Sequence, residues 1–140
     1  MITKVIDAVV AALKLQAAFT GKNVVPSYDQ SLDLDDSDGV IIAVTGASEA
    51  AIAGADGRPI AWNCNISLLA CTHRAVDKNG SVRKALSEAA HDFFMSLDSL
   101  IVTGYSLAGV TSVRESETSV IGENYIAMPC LASLVITKST

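Results

Sequence analysis

Residues 60–68 read Ile60-Ala61-Trp62-Asn63-Cys64-Asn65-Ile66-Ser67-Leu68. Ile60, Trp62, Cys64, Ile66 and Leu68 alternate with Ala, Asn, Asn and Ser. A period of two sustained over this stretch predicts a strand with one face turned to a core. Trp62, at an alternating position, reads as core rather than as a platform for a ligand. Upstream, Val40-Ile41-Ile42-Ala43-Val44-Thr45 is a β-branched apolar run, which predicts a strand buried on both faces. Between the two, residues 46–59 hold Gly46, Gly54, Gly57 and Pro59 among Ala and Ser. That composition predicts a flexible loop, mobile in a free subunit.

Two helical stripes flank the pair. Ile2, Val5, Ile6, Val9 and Leu13 repeat at helical spacing, Ala-rich residues follow, and Gly21 stops the run. This predicts a helix over residues 2–20. The chain then runs through residues 21–39, an irregular connection with Gly21, Pro26 and five Asp. After the turn at Asp77, Asn79 and Gly80, Ser81 reads as an N-cap. Val82, Leu86, Ala89, Phe93 and Leu97 follow on one helical face, opposite Lys84, Glu88 and Asp92. Residues 110–117 and 125–137 predict two more strands, with Pro129 demoting the start of the last one to an edge or bulge. The expected fold class is therefore α+β, in one domain over residues 1–140. Two helices pack on one face of a mostly antiparallel sheet of about four or more strands, in the order α-β-β-α-β-β.

Charge narrows the function. The chain carries 10 Lys plus Arg against 15 Asp plus Glu, a formal charge of −5, and only 18% of residues are charged. Asp29, Asp33, Asp35, Asp36 and Asp38 fall together with no base among them, and the rest of the chain is neutral as a set. No basic patch for a phosphate backbone is visible. The 20 Ala residues supply a small-residue, low-charge exterior suited to partner contacts. The three Cys (Cys64, Cys71, Cys130) are sparse and odd in number, which fits a reducing compartment. The apolar run near the start is too short to span a bilayer, so the expectation is a soluble intracellular chain with no membrane partner.

The motifs that suggest chemistry fail on inspection. Gly104-Tyr105-Ser106-Leu107-Ala108-Gly109 resembles a nucleophile elbow, but His73 and His91 both precede the Ser, and no helix pattern follows. Ser106 reads as part of a turn. For a calcium loop, placing Gly39 sixth puts Leu34 first and Thr45 twelfth, and neither is the required ligand. A looser cation site in the acidic run, or a solvated contact surface, stays open. His73 lies near Cys71 without a second pair at zinc spacing. His91 reads as a partly exposed helix residue. The expectation is no catalytic residue, no metal and no cofactor, hence not an enzyme.

Taken together, the chain resembles the tail terminator proteins of long-tailed bacteriophages, of the lambda type. The resemblance runs from the first helix through Val44-Thr45-Gly46-Ala47 and its Gly/Ala/Asp loop. It continues through the strand from Ala61 and the helix bearing Phe93-Phe94-Met95, and ends at Leu134-Val135-Ile136-Thr137. It implies a homohexameric ring that caps the tail tube, ends tube polymerisation and offers the head or neck attachment surface. Tail tube protein and a neck or head-completion protein are the implied partners, with DNA only as cargo passing the lumen. The implied location is the virion tail near the head-tail junction, after assembly in the host cytoplasm. An acidic, base-poor wall suits a channel that repels DNA. The alternatives are a related neck or tail-completion ring protein, or a small non-enzymatic binding domain with an acidic loop. Candidate contact residues are Glu49, Asp56 and Arg58 in the 46–59 segment, with Arg58 reaching the next subunit, and Asp33, Asp35 and Asp36 in the acidic run.

Overall fold

The computed structural model describes residues 1–28 and 38–139. Helix α1 (Ile2–Lys14) buries Val5, Ile6, Val9 and Leu13, the predicted stripe. It stops short of residue 20. A single 3₁₀ turn (Ala17–Phe19) follows, and Phe19 is buried. In a continued α-helix Phe19 would lie well off the stripe, so the break is what turns this ring into the core.

Strand β1 (Asn23–Ser27) lies inside the segment expected to be irregular. It is short, contains Pro26, and runs parallel to β2, pairing Val24 with Ile42. An edge strand of this kind has no periodic signature to read. Strands β2 (Val40–Ala53) and β3 (Pro59–His73) form a long antiparallel hairpin. The expected flexible loop over residues 46–59 is therefore mostly strand. Cross-strand pairing with β3 carries the Ala-rich stretch that propensity alone would leave loose. Only residues 54–58 turn. The Gly54 N–H donates to the Arg58 carbonyl at 2.8 Å, Gly57 takes a positive φ of 80°, and Asp56 accepts the Arg58 N–H at 3.0 Å. Gly46 is required for a different reason: a Cβ there would stand 2.4 Å from Cγ1 of Ile2, so α1 could not cross β2 so closely.

Helix α2 (Ser81–Met95) buries Leu86, Ser87, Ala90, Phe93 and Phe94, a stripe turned slightly from the predicted one. Ser81 is not its cap. Gly80 occupies that position, and the Asp77 carboxylate accepts the N–H groups of Val82 and Arg83, each at 3.0 Å. After α2 come β4 (Tyr105–Glu115), β5 (Ser119–Ile121) and β6 (Tyr125–Lys138). Ser106 sits on β4, not in a turn, with its Oγ 2.8 Å from that of Ser139.

The fold is α+β, two α-helices and a six-stranded, mostly antiparallel sheet among the described residues. The element order corrects the expectation, because each half has three strands rather than two. Spatially the order is β1-β2-β3-β6-β4, with β5 also on β6. Strand β6 is thus interior, despite Pro129. Its partner changes from β5 to β4 around that residue, and the Pro129 carbonyl accepts the Ser116 N–H at 3.0 Å. The proline ring faces the gap between β5 and β4, where no ladder donor is missed.

Both helices cover one face of the sheet. Val40, Ile42 and Val44 of β2, Cys64, Ile66 and Leu68 of β3, and Cys130, Ala132, Leu134 and Ile136 of β6 join them in one core. Trp62 packs on its margin, half-buried, edge-on to Tyr105 at 5.5 Å. The other face carries only a small cluster of Ile41, Cys71, Tyr125 and Ala127. Among the described residues no helix is long and apolar enough to cross a membrane.

Candidate functional site

The ends of this sheet are its most informative surface. Strand β1 pairs β2 only from Ile41 to Thr45. Beyond it, residues 47–53 have β3 on one side and no described strand on the other. All seven are exposed. At the opposite end of the sheet, β4 is likewise the last strand. Cross-strand register brings the two edges level. Ile52 pairs with Ala61, Ala61 with Thr137, and Thr137 with Ser106. Four residues along β2, β3 and β6, Ser48, Asn65, Ser133 and Ser112 align in the same way across the same four strands. The uncovered parts of β2 and β4 therefore lie at the same end of the sheet.

Their directions also match. Strands β2, β3, β6 and β4 alternate, so β4 runs antiparallel to β2. A second copy placed beside the first would continue the alternation, β4 against β2. The β2 edge is built of Ala47, Ser48, Glu49, Ala50, Ala51, Ile52 and Ala53. It carries no Lys and no Pro, two of the devices that commonly protect a free edge. Ile52 is 44% exposed and Ile60, beside it on the arm, 53%.

The sequence-predicted contact residues separate here. Glu49 turns to the helical face, where its carboxylate accepts the Ile2 N–H at 2.9 Å and stands 3.6 Å from the N-terminal ammonium. It serves the positive end of α1. Asp56 and Arg58 lie at the tip of the hairpin, seven and nine residues on. The Arg58 side chain is 87% exposed and 3.9 Å from Asp56. Asp33, Asp35 and Asp36 lie outside the described residues.

Cys64, Cys71 and Cys130 are buried free thiols. Burial raises their pKa values to about 11, 12 and 11, so they stay protonated at neutral pH. The His73 ring nitrogen Nδ1 accepts the Ala75 N–H at 3.0 Å, fixing the turn after β3. His91 is half-exposed on α2. Among the described residues no group of three or more His, Cys, Asp and Glu could hold a metal ion. The sequence marked Asp77 as a turn residue but did not show that its buried carboxylate takes the first N–H groups of α2. The only signal of that role was an acid four residues before a helix start.

No family model and no curated protein matches the sequence. Among solved structures, 15 chains match. One of them, a protein of no stated function, superposes with a TM-score of 0.58 at 10% identity, covering 96% of this chain and 89% of its own. The likeness spans the whole domain and concerns the fold alone. The class so defined is a small α+β domain with helices on one face of an open sheet whose β2 stretch 47–53 and β4 have no outer partner strand among the described residues.

Proposed function

We propose that the chain is a ring-forming structural protein of the tail terminator kind, capping the tail tube of a long-tailed bacteriophage. The observation that carries this reading is the pair of level, antiparallel-compatible edges on opposite sides of one sheet. An interface joining two different edges is head-to-tail, and such contacts close into a ring when the rotation permits. The sequence resemblance supplies the rest: a homohexamer that stops tube growth, contacts the tail tube protein below and a neck or head-completion protein above, and lets DNA pass. The net charge of −5 supports a lumen that does not hold DNA. The same edges would serve a neck or tail-completion ring, and arrest of tube growth separates the two.

The test is sedimentation and electron microscopy of the purified chain, alone and with tail tube protein. Ring-sized particles that arrest tube polymerisation are expected. A monomer under every condition would exclude a ring former. Ile52→Lys is the matching prediction. The side chain is already half in solvent, so melting should shift by no more than about 0.5 kcal/mol equivalent. A charge on the free edge should nonetheless abolish ring formation. Unchanged rings in this variant would remove the β2 edge from the interface.

A further inference from the structure

We infer that the helix-free face of the sheet carries a binding site for an oxyanion, a phosphate or carboxylate group, centred on Arg114. The inference is independent of the ring reading. A pocket of about 240 Å³ opens on this face, and its lining includes Ser48, Asn65, Ser112, Arg114, Leu131 and Ser133. Ser48, Asn65, Ser133 and Ser112 are direct neighbours across β2, β3, β6 and β4, a polar row four strands wide.

The row is oriented. Ser133 Oγ donates to Asn65 Oδ1 at 2.6 Å, and Asn65 Nδ2 donates to Ser48 Oγ at 2.8 Å. Each hydroxyl or amide spends one capacity in the row. The Ser48 hydroxyl proton and the second Asn65 N–H are left over, and both are donors. The Ser112 hydroxyl adds a third. Arg114, opposite Leu131, brings a guanidinium, and none of the ion pairs among the described residues involves it. The nearest acids along these strands, Glu49 and Glu115, pair with Cys64 and Cys130, whose side chains lie in the core under the helices. Both acids are thereby turned to the other face. Donors converging beside an unpaired guanidinium, without a competing carboxylate, select an anion with several acceptor oxygens.

Two sources could provide that group: a free anion, or an acidic side chain of a neighbouring copy. The experiment is an amide NMR titration of the full chain with sodium phosphate, against sodium chloride at matched ionic strength. Saturable shifts at Ser48, Asn65, Ser112 and Arg114, specific to phosphate, are expected. Arg114→Gln should weaken binding by roughly tenfold or more, while Arg114→Lys should restore part of it. Asn65→Leu, which interrupts the row, should also weaken it, and melting curves show whether each variant is folded. If phosphate additionally dissociates assembled copies, and Arg114→Gln weakens assembly, the natural occupant is a carboxylate of the neighbour. If assembly is indifferent to both, the occupant is a free oxyanion. Shifts that are linear, spread over the surface, or unchanged in folded Arg114→Gln would overturn the site.

Discussion

Replacing Phe94 by alanine is expected to lower the unfolding free energy by about 3–5 kcal/mol. Phe94 is fully buried on the inner face of α2 and meets Phe93 edge-on at 5.1 Å. It belongs to the one core that both helices share with β3 and β6. Truncation removes a large apolar surface and leaves a cavity under a helix whose start is fixed by the Asp77 carboxylate, so collapse into the space is limited. Lys84→Ala is the control on the same helix. Lys84 is exposed, and its ion pair with Glu88 is a surface contact at 3.9 Å. That substitution should stay within about 0.5 kcal/mol. Urea unfolding of both variants checks the orientation of α2, and similar midpoints would show it to be rotated.

Asp77→Ala should produce the second large effect, about 2–4 kcal/mol. The residue is only 3% exposed. Its carboxylate accepts two N–H groups at the start of α2 and the Thr72 hydroxyl at 2.9 Å, and lies 3.5 Å from the Arg83 guanidinium. Burial pushes its pKa up, but the bonds from Arg83 and Val82, the Thr72 hydroxyl and the Arg83 charge together outweigh burial and hold it below the ordinary 3.8. The sign follows. Because the folded value is depressed, the stabilisation is fully present above the ordinary carboxylate range and is lost as pH falls through the folded value. Unfolding midpoints from neutral pH down to about 2 should show wild type and Asp77→Asn separated by a constant gap that closes below about pH 4. A gap independent of pH would mean that the charge on Asp77 contributes nothing.

The rings proposed here rest on Ile52 and its edge, and of the charged candidates only Glu49, Asp56 and Arg58 lie among the described residues. Arg58 does project from the hairpin tip, but Glu49 is occupied within its own subunit at the start of α1. Sequence separation explains why this was hidden. Ile2 and Glu49 are 47 residues apart, and nothing in either neighbourhood refers to the other. The polar row from Ser48 to Ser112 was hidden in the same way, since its members come from four separate strands.

What the sequence by itself determined was whatever repeats within a few residues. The period-two run around Cys64 marks β3, the stripe from Ile2 to Leu13 marks α1, and the stripe through Leu86 and Phe93 marks α2. Each is a face that must be buried, and the period of that face is a property of the local backbone. Tertiary structure decided the rest. It made a strand of the Ala-rich residues 47–53, because β3 supplies their hydrogen bonds. It ended α1 at Lys14 so that Phe19 could enter the core, and it put Pro129 in an interior strand by placing it where two partners meet. It put Gly80 rather than Ser81 at the cap of α2 and gave the first N–H groups of that helix to the Asp77 carboxylate. In each case the deciding partner lies elsewhere in space, and pairing, burial and close approach to a distant element outweigh the modest preference of the local chain.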